Sequence, residues 1–356
     1  SLKRSIENIM RSHSSATVLG SDPARKELTR TSLASDELVF DREVARRTFT
    51  ALYDRFLEQH ARKIHIETEA PQWEYRPKAL PVGSPAHLVW LWNAAATDLR
   101  AQSADVYHTH QLLWENRRTQ LSFGESLRPT RELYTPEVLS WDREHFLTAF
   151  AKCGFGNPKR NIEWWLRRAE TLWSLWEGDP FRMFQLGTID ALMAWKQRQR
   201  EDPLPGIGPK IASLIAIFME EHGMSHVPDA FPVDVHVQRL ALALRVVVPT
   251  RNAPILNETL EALLRPAIVR LCAEEGWSRI TLSHALWFRG NRGCTDCWKS
   301  HYAQVECPVF SECQGAYQSR SYFKMGLWLP MKGPMAKGGC APLVPFSERS
   351  LFAQTG

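Results

Sequence analysis

The chain has 356 residues, which is long enough for about two ordinary domains with sizeable buried cores. Its 44% hydrophobic and 23% charged residues are typical of a globular protein and exclude a largely disordered chain. The formal net charge of +5 permits a polyanionic partner without requiring one. No apolar run in the sequence predicts a membrane helix or a secretory signal. We therefore expect a cytoplasmic, nucleoid-associated protein that has no membrane partner.

Apolar residues recur at helical spacing along most of the chain, and hardly any segment alternates apolar and polar residues as a strand does. The sequence therefore predicts an all-α fold. Residues 1–36 are predicted to form an irregular N-terminal arm, and residues 326–356 an irregular tail. Helices are expected near residues 36–62, 87–114, 158–177, 188–200, 211–221, 235–246, 256–274 and 279–289.

A short loop that contains two glycines, Leu204-Pro205-Gly206-Ile207-Gly208-Pro209-Lys210, connects two of these helices. Glycine permits positive φ angles and a close approach of the backbone to a ligand. Because the loop opens a helix, its unpaired N–H groups lie at the positive end of the helix dipole and suit a phosphate. Such a contact holds a DNA backbone without reading its sequence. A simple helix–loop–helix connection fits the two glycines equally well.

Four of the seven cysteines lie within twenty residues of one another. In a chain without a signal peptide, such cysteines indicate thiols or a metal site rather than disulfides. Four thiolate ligands select zinc or an iron–sulfur cluster. The Cys-x2-Cys pair favours zinc by itself, whereas the wider gaps of nine and five residues are less typical of a zinc ribbon. The four are Cys294, Cys297, Cys307 and Cys313.

Several motifs, in this order along the chain, resemble those of the helix-hairpin-helix DNA glycosylase superfamily, and of the endonuclease III group in particular. The resemblance covers about residues 85–315, and its most specific part is the hairpin at residues 204–212. The other motifs are Ala95-Ala96-Thr97-Asp98, Gly154-Phe155-Gly156-Asn157-Pro158-Lys159, Val233-Asp234-Val235-His236 followed by Arg239, and the four cysteines.

The resemblance implies two helical lobes flanking a DNA cleft. Residues 85–228 would form the helix-hairpin-helix lobe, and residues 37–84 with 229–325 the cluster-bearing lobe. The partner implied is double-stranded DNA with one base flipped out of the helix, bound by a monomer. The resemblance also implies that a [4Fe–4S] cluster is held by Cys294, Cys297, Cys307 and Cys313, with zinc as the alternative. Residues implied to contact DNA are Leu204, Pro205, Gly206, Ile207, Gly208, Lys210 and Arg239.

The implied reaction is removal of a damaged or modified base, with Lys210 and Asp234 as the catalytic pair. The Asp234 carboxylate would stabilise positive charge on the deoxyribose. Lys210 would attack C1′, and the resulting Schiff base would allow cleavage at the abasic site. Three alternatives stay open. In the first, water is the nucleophile and Lys210 contacts a phosphate. In the second, Asp234 is only a helix N-cap. In the third, the chain is a DNA-binding protein without catalysis.

Two departures from the family pattern concern the site. Lys210 and Asp234 are further apart in sequence than is usual, so the intervening residues must bulge out. Ala95 stands where the family has a glutamine that fills the space left by a flipped base. Asn93, Trp90 and Trp92 are nearby candidates for that role, although aromatic residues at such spacing usually belong to a core. The sequence names neither the base removed nor a role for residues near 65–85 and 115–140.

Overall fold

The computed structural model describes residues 32–61, 70–98, 103–117, 129–150, 158–224, 226–251, 253–294, 307–313, 323–324 and 327–328. These residues are mostly helical, as predicted. None of their helices has the length and apolar character needed to cross a membrane. The helices are α1 (Arg42–Ala61), α2 (Pro71–Glu74), α3 (Pro85–Thr97), α4 (Ser103–Trp114), α5 (Arg143–Phe150), α6 (Pro158–Glu170), α7 (Ile189–Gln197), α8 (Pro209–Glu221), α9 (Val235–Ala243), α10 (Asn257–Glu275) and α11 (Arg279–Phe288).

Side-chain caps explain where several helices begin. The Ser84 hydroxyl accepts a hydrogen bond from the backbone N–H of His87, and a proline occupies the first position of α3. Thr188 caps α7 in the same way, and Ser278 caps α11. Gly276, in the left-handed conformation, ends α10. Local chemistry that is visible in the sequence therefore sets these boundaries.

Within the described residues, five short strands form two small sheets, each of which brings together segments far apart in sequence. β1 (Leu38–Phe40) and β2 (Val247–Pro249) are antiparallel, with Leu38 opposite Pro249. β3 (Ile255–Leu256), β4 (Phe323–Lys324) and β5 (Leu327–Trp328) form a sheet in the order β3-β5-β4. Trp328 in β5 is buried, and so is Leu33, which forms an isolated bridge with Ile255, although both residues belong to segments predicted to be an irregular tail and arm. Long-range pairing of this kind leaves no local pattern in the sequence.

The buried side chains form two separate clusters. The first core runs from Leu80 to Ala230, and the second combines residues 33–52 with residues from Phe231 to Trp328. The chain therefore passes from one core to the other between Ala230 and Phe231. Tyr75 and Leu80 pack in the first core, although the sequence analysis placed residues 37–84 in the other lobe. We call the elements around these cores the first and second lobes.

Two arginines of the second lobe form ion pairs and hydrogen bonds with the first lobe. Arg265 on α10 pairs with Asp190 on α7, and its Nη1 lies 3.1 Å from an Asp229 carboxylate oxygen. Arg279 on α11 donates to the backbone carbonyls of Val227, Pro228 and Ala230 at 2.7–3.0 Å. Both guanidinium groups are almost fully buried. Because a buried charge that loses its partner costs several kcal/mol, these contacts fix the segment that joins the lobes.

Candidate active site

A pocket opens between the two cores and is lined by residues of both lobes. Its space between atoms is about 600 Å³, including the open mouth. Apolar walls come from residues such as Leu214 and Phe218 on α8 and Trp287 on α11. A mostly apolar pocket with a few polar groups is the usual form of a binding site. The polar and charged side chains in the lining are Gln72, Asp98, Ser103, Tyr107, Lys210, Asp234, Ser283 and His284.

Lys210 and Asp234 both lie in the wall of this pocket. Lys210 is the second residue of α8, and Leu214 and Phe218 follow it along the pocket at intervals of four residues. Asp234 comes from the other lobe, where it immediately precedes α9. The residues between α8 and α9 pass from the first core to the second. The long sequence separation is therefore compatible with both side chains reaching one site.

Asp234 is the N-cap of α9, and one carboxylate oxygen performs that role. Oδ1 accepts hydrogen bonds from the backbone N–H groups of His236 and Val237 at 2.8 and 2.9 Å. Oδ2 makes no hydrogen bond to any other described residue. The capping interpretation and the catalytic interpretation are therefore compatible, since Oδ2 is available to a ligand in the pocket.

Asp98 is a third charged residue of the site, and the sequence analysis did not assign it a role. It is buried, and the Ser103 hydroxyl donates a hydrogen bond to its Oδ2 at 2.8 Å. Burial raises the pKa of Asp98, the positive charge of Lys210 opposes that rise, and the negative charge of Asp234 adds to it. The three charges are therefore close enough to interact. The signal in the sequence was the motif Ala95-Ala96-Thr97-Asp98, which ends in this residue.

The loop between α7 and α8 is held from the inside of the first lobe. Gly206 has a φ of +83°, and an added Cβ would lie 2.8 Å from a ring carbon of Trp164. The carbonyl oxygens of the loop accept hydrogen bonds from buried side chains beneath it. The Lys196 ammonium donates to the carbonyls of Leu204 and Ile207. The Arg168 guanidinium donates to the Pro205 carbonyl at 2.8 Å. The Thr171 hydroxyl donates to the Pro203 carbonyl at 2.7 Å.

Side chains of the first lobe occupy the loop carbonyls, whereas several N–H groups of the loop are left for a ligand. Among the described residues, the backbone N–H groups of Gly206, Gly208 and Lys210 have no hydrogen-bond partner. Burial lowers the pKa of Arg168 to about 9, and Asp202 opposes the shift, so the guanidinium is still cationic at neutral pH. Burial also lowers the pKa of Lys196. The arrangement suits an anion, because free N–H groups, a helix N-terminus and buried cations coincide.

Three side chains predicted to contact DNA face the interior instead. Leu204 and Ile207 are fully buried in the first core, so their side chains anchor the loop and only its backbone reaches outward. The Arg239 guanidinium is buried and donates to the carbonyl of Gly290. Arg239 lies within α9, on the side that packs against the turn after α11, so its guanidinium is not available to DNA.

The residues suggested to fill the space of a flipped base do not reach the surface. Trp90 and Trp92 are fully buried, Asn93 is 3% exposed, and Ala95 is fully buried. All lie on α3, whose residues from His87 to Thr97 are all buried in the first lobe. The suggestion that one of them fills that space is therefore wrong, and the alternative, that the aromatic residues belong to a core, is confirmed, because α3 is packed on every side.

Three of the four clustered cysteines lie within the described residues. Cys294, Cys307 and Cys313 form no disulfide and pack against the second core, whereas Cys297 lies outside those residues. Burial raises the pKa of Cys307, and the nearby Cys294 thiol adds to the rise. No group of three or more His, Cys, Asp or Glu side chains is positioned to hold a metal ion within the part of the chain that the structure describes.

No family model, no curated protein and no solved structure matches the chain.

Proposed function

We propose that this chain is a DNA base-excision glycosylase that also cleaves abasic sites, with Lys210 as its nucleophile. The observation that supports the proposal most is the meeting of Lys210 and Asp234, from different lobes, in one pocket. An enzyme that acts on a base within a duplex must extrude that base into such a pocket. The order of motifs along the sequence, which resembles that of helix-hairpin-helix glycosylases, supports the same function.

The loop before Lys210 positions the DNA. Its outward N–H groups would bind a backbone phosphate, and the cations Arg168 and Lys196 beneath it add to the positive potential. Lys210 follows Gly208 by two residues, so a phosphate bound there brings the adjoining deoxyribose to the mouth of the pocket. The loop and the start of α8 thereby bind the strand and supply the nucleophile.

The reaction needs no oxidant or reductant. The amine nitrogen Nζ of Lys210 forms a bond to C1′ while the N-glycosidic bond breaks, and the bonding electrons leave with the base, which takes up a proton. Opening of the sugar ring, with its oxygen protonated, gives a Schiff base between Nζ and C1′. Loss of a proton from C2′ then expels the 3′ phosphate and cleaves the strand.

Asp234 has two roles in this scheme. Its Oδ1 holds α9 in place, and its Oδ2 stabilises the positive charge that develops on the deoxyribose and accepts the proton lost from Nζ. Asp98 is a positioning residue. Its carboxyl group, fixed by Ser103, lies within electrostatic reach of Lys210 and orients the amine.

A [4Fe–4S] cluster held by Cys294, Cys297, Cys307 and Cys313 is part of the proposal. The chemistry of the donor set fits, because four thiolate ligands select an iron–sulfur cluster or zinc and none of the described cysteines forms a disulfide. The cluster would stabilise the surface loop in the second lobe. We expect anaerobically purified protein to contain iron and acid-labile sulfide, and a Cys307→Ser variant to lose both. Zinc without iron in the wild-type protein would contradict the assignment.

Gly208→Ala should weaken DNA binding without affecting the fold. At Gly208 φ is negative and an added Cβ meets no atom within 4 Å, so alanine fits the folded loop. On the outer face the methyl group would obstruct the approach of a phosphate. We expect the dissociation constant for a duplex with an abasic site to rise about 10-fold, which corresponds to about 1.4 kcal/mol. Thermal unfolding should stay unchanged, whereas Gly206→Ala should lower the melting temperature because it clashes with Trp164. Equal DNA binding by Gly208→Ala and wild type would contradict the phosphate role.

The proposed function is tested on labelled duplexes that carry an abasic site or one of several damaged bases. Base release together with strand cleavage at the abasic site supports the proposal. Base release without strand cleavage would mean that water is the nucleophile, as in a monofunctional glycosylase. Binding without either reaction would leave a DNA-binding protein and overturn the proposal.

A further inference from the structure

The pocket continues well beyond the reactive pair. Phe218 lies eight residues after Lys210 on α8, which is about 12 Å along a helix. Tyr107 on α4 packs edge-on against Phe218, with ring centroids 6.4 Å apart. Tyr107 and Gln72 line the pocket together with Lys210. The pocket therefore has polar groups at a distance from the atom that would be attacked.

The Tyr107 hydroxyl is an unused hydrogen-bonding group. The residue is 1% exposed, and the hydroxyl has no hydrogen-bond partner among the described residues. A buried hydroxyl left unpaired costs about 1–3 kcal/mol, so such a group is typical of a site where a ligand supplies the partner. Burial raises the pKa of Tyr107 well above its usual value, and the Asp98 and Glu221 carboxylates raise it further. The phenol therefore keeps its proton and offers an O–H donor.

Gln72 supplies an acceptor in the same pocket. Its Nε2 donates to Oε2 of Glu221 at 3.5 Å, and Oε1 of Glu221 is hydrogen-bonded to Nε2 of His284. The Glu221 and His284 side chains are both buried, and because a carboxylate only accepts hydrogen bonds, it favours the orientation in which the amide nitrogen of Gln72 faces Glu221. The amide oxygen of Gln72 is then left as an acceptor.

We infer that Tyr107 and Gln72 recognise the edge of the extruded base, and that the pocket selects a lactam edge. Such an edge has a carbonyl oxygen next to a ring N–H, as in uracil-type pyrimidines and in hypoxanthine. Tyr107 would donate to the carbonyl and Gln72 would accept from the N–H. Cytosine and adenine present an amino group and an unprotonated ring nitrogen instead, which is the opposite pattern. The inference rests on the proposed function and names the class of base for the same site.

The test compares substrates in matched pairs that differ in this edge of the damaged base. Duplexes would carry 5-hydroxyuracil or 5-hydroxycytosine, and hypoxanthine or adenine, each pair differing at the recognised edge alone. A fifth duplex would carry a preformed abasic site, which has no base to recognise. Tyr107→Phe removes only the hydroxyl. Tyr53→Phe is the control, because Tyr53 does not line the pocket and its hydroxyl bonds to the backbone of Ser278.

We expect the wild-type protein to release the lactam member of a pair at least about 10-fold faster than the amino member, since one lost hydrogen bond costs about 1.4 kcal/mol. In Tyr107→Phe this ratio should fall towards one, while abasic-site cleavage stays within about twofold of wild type. An unchanged ratio in Tyr107→Phe, or a wild-type preference for amino bases, overturns the inference even if abasic sites are cleaved. A wild-type protein that neither releases a base nor cleaves the abasic site overturns the proposed function, and this inference with it.

Discussion

Lys210→Gln should abolish the covalent adduct that borohydride traps on abasic DNA, and it should slow abasic-site cleavage by more than about 1,000-fold. The amide cannot form a Schiff base, and loss of a nucleophile is among the largest effects known for a single substitution. Lys210 lies in the pocket wall at the start of α8, partly exposed to a ligand. The measurement is the yield of adduct and the rate of cleavage in single-turnover conditions with saturating protein, which separates chemistry from weaker binding and from product release.

Lys78→Gln provides the matched control. Lys78 is exposed and does not line the pocket, so the same chemical change there should alter neither adduct nor rate. Thermal unfolding of both variants shows whether the fold is kept. An adduct of wild-type yield in Lys210→Gln would mean that another amine attacks C1′.

Asp234→Asn should lower the rate of base release by about 100- to 1,000-fold while leaving the fold intact. Asparagine caps a helix as well as aspartate does, so the bonds from His236 and Val237 survive. The negative charge is lost, and with it the stabilisation of the sugar cation in the transition state. The rate of base release from a damaged duplex in single-turnover conditions measures the effect.

Asp179→Asn is the control for this change. Asp179 is an exposed N-cap whose side chain accepts from the Phe181 N–H, outside the pocket. Both variants should unfold at the wild-type temperature. Base release by Asp234→Asn at the wild-type rate would show that Asp234 only caps α9.

Most of the helices and the loop before Lys210 were predictable because they depend on local patterns, whereas α2 and α5 were not predicted. Period-3.6 spacing of apolar residues and caps such as Ser278 act within a few positions of the chain. The shared pocket of Lys210 and Asp234 was an expectation from the family resemblance, since no local rule brings together residues from different lobes. The structure shows the same pocket without reference to that resemblance.

Other features depend on contacts that no local pattern carries. Tyr107 and Gln72 belong to no motif, and only the packing of α2 and α4 against α8 places them in the pocket. Trp90 and Trp92 are aromatic residues close to a motif, and the sequence left open whether they fill the space of a flipped base or belong to a core; their burial in α3 confirms the core. Arg239 follows a motif, but its guanidinium bonds to Gly290, 51 positions further along the chain.

The most direct test of the central claim is to locate the adduct. Wild-type protein would be reduced with borohydride on a duplex with one abasic site, digested with nuclease and protease, and analysed by mass spectrometry. The account predicts that the sugar remnant is attached to Nζ of Lys210, in one peptide. Attachment to another amine, or DNA binding with neither an adduct nor base release, would contradict it.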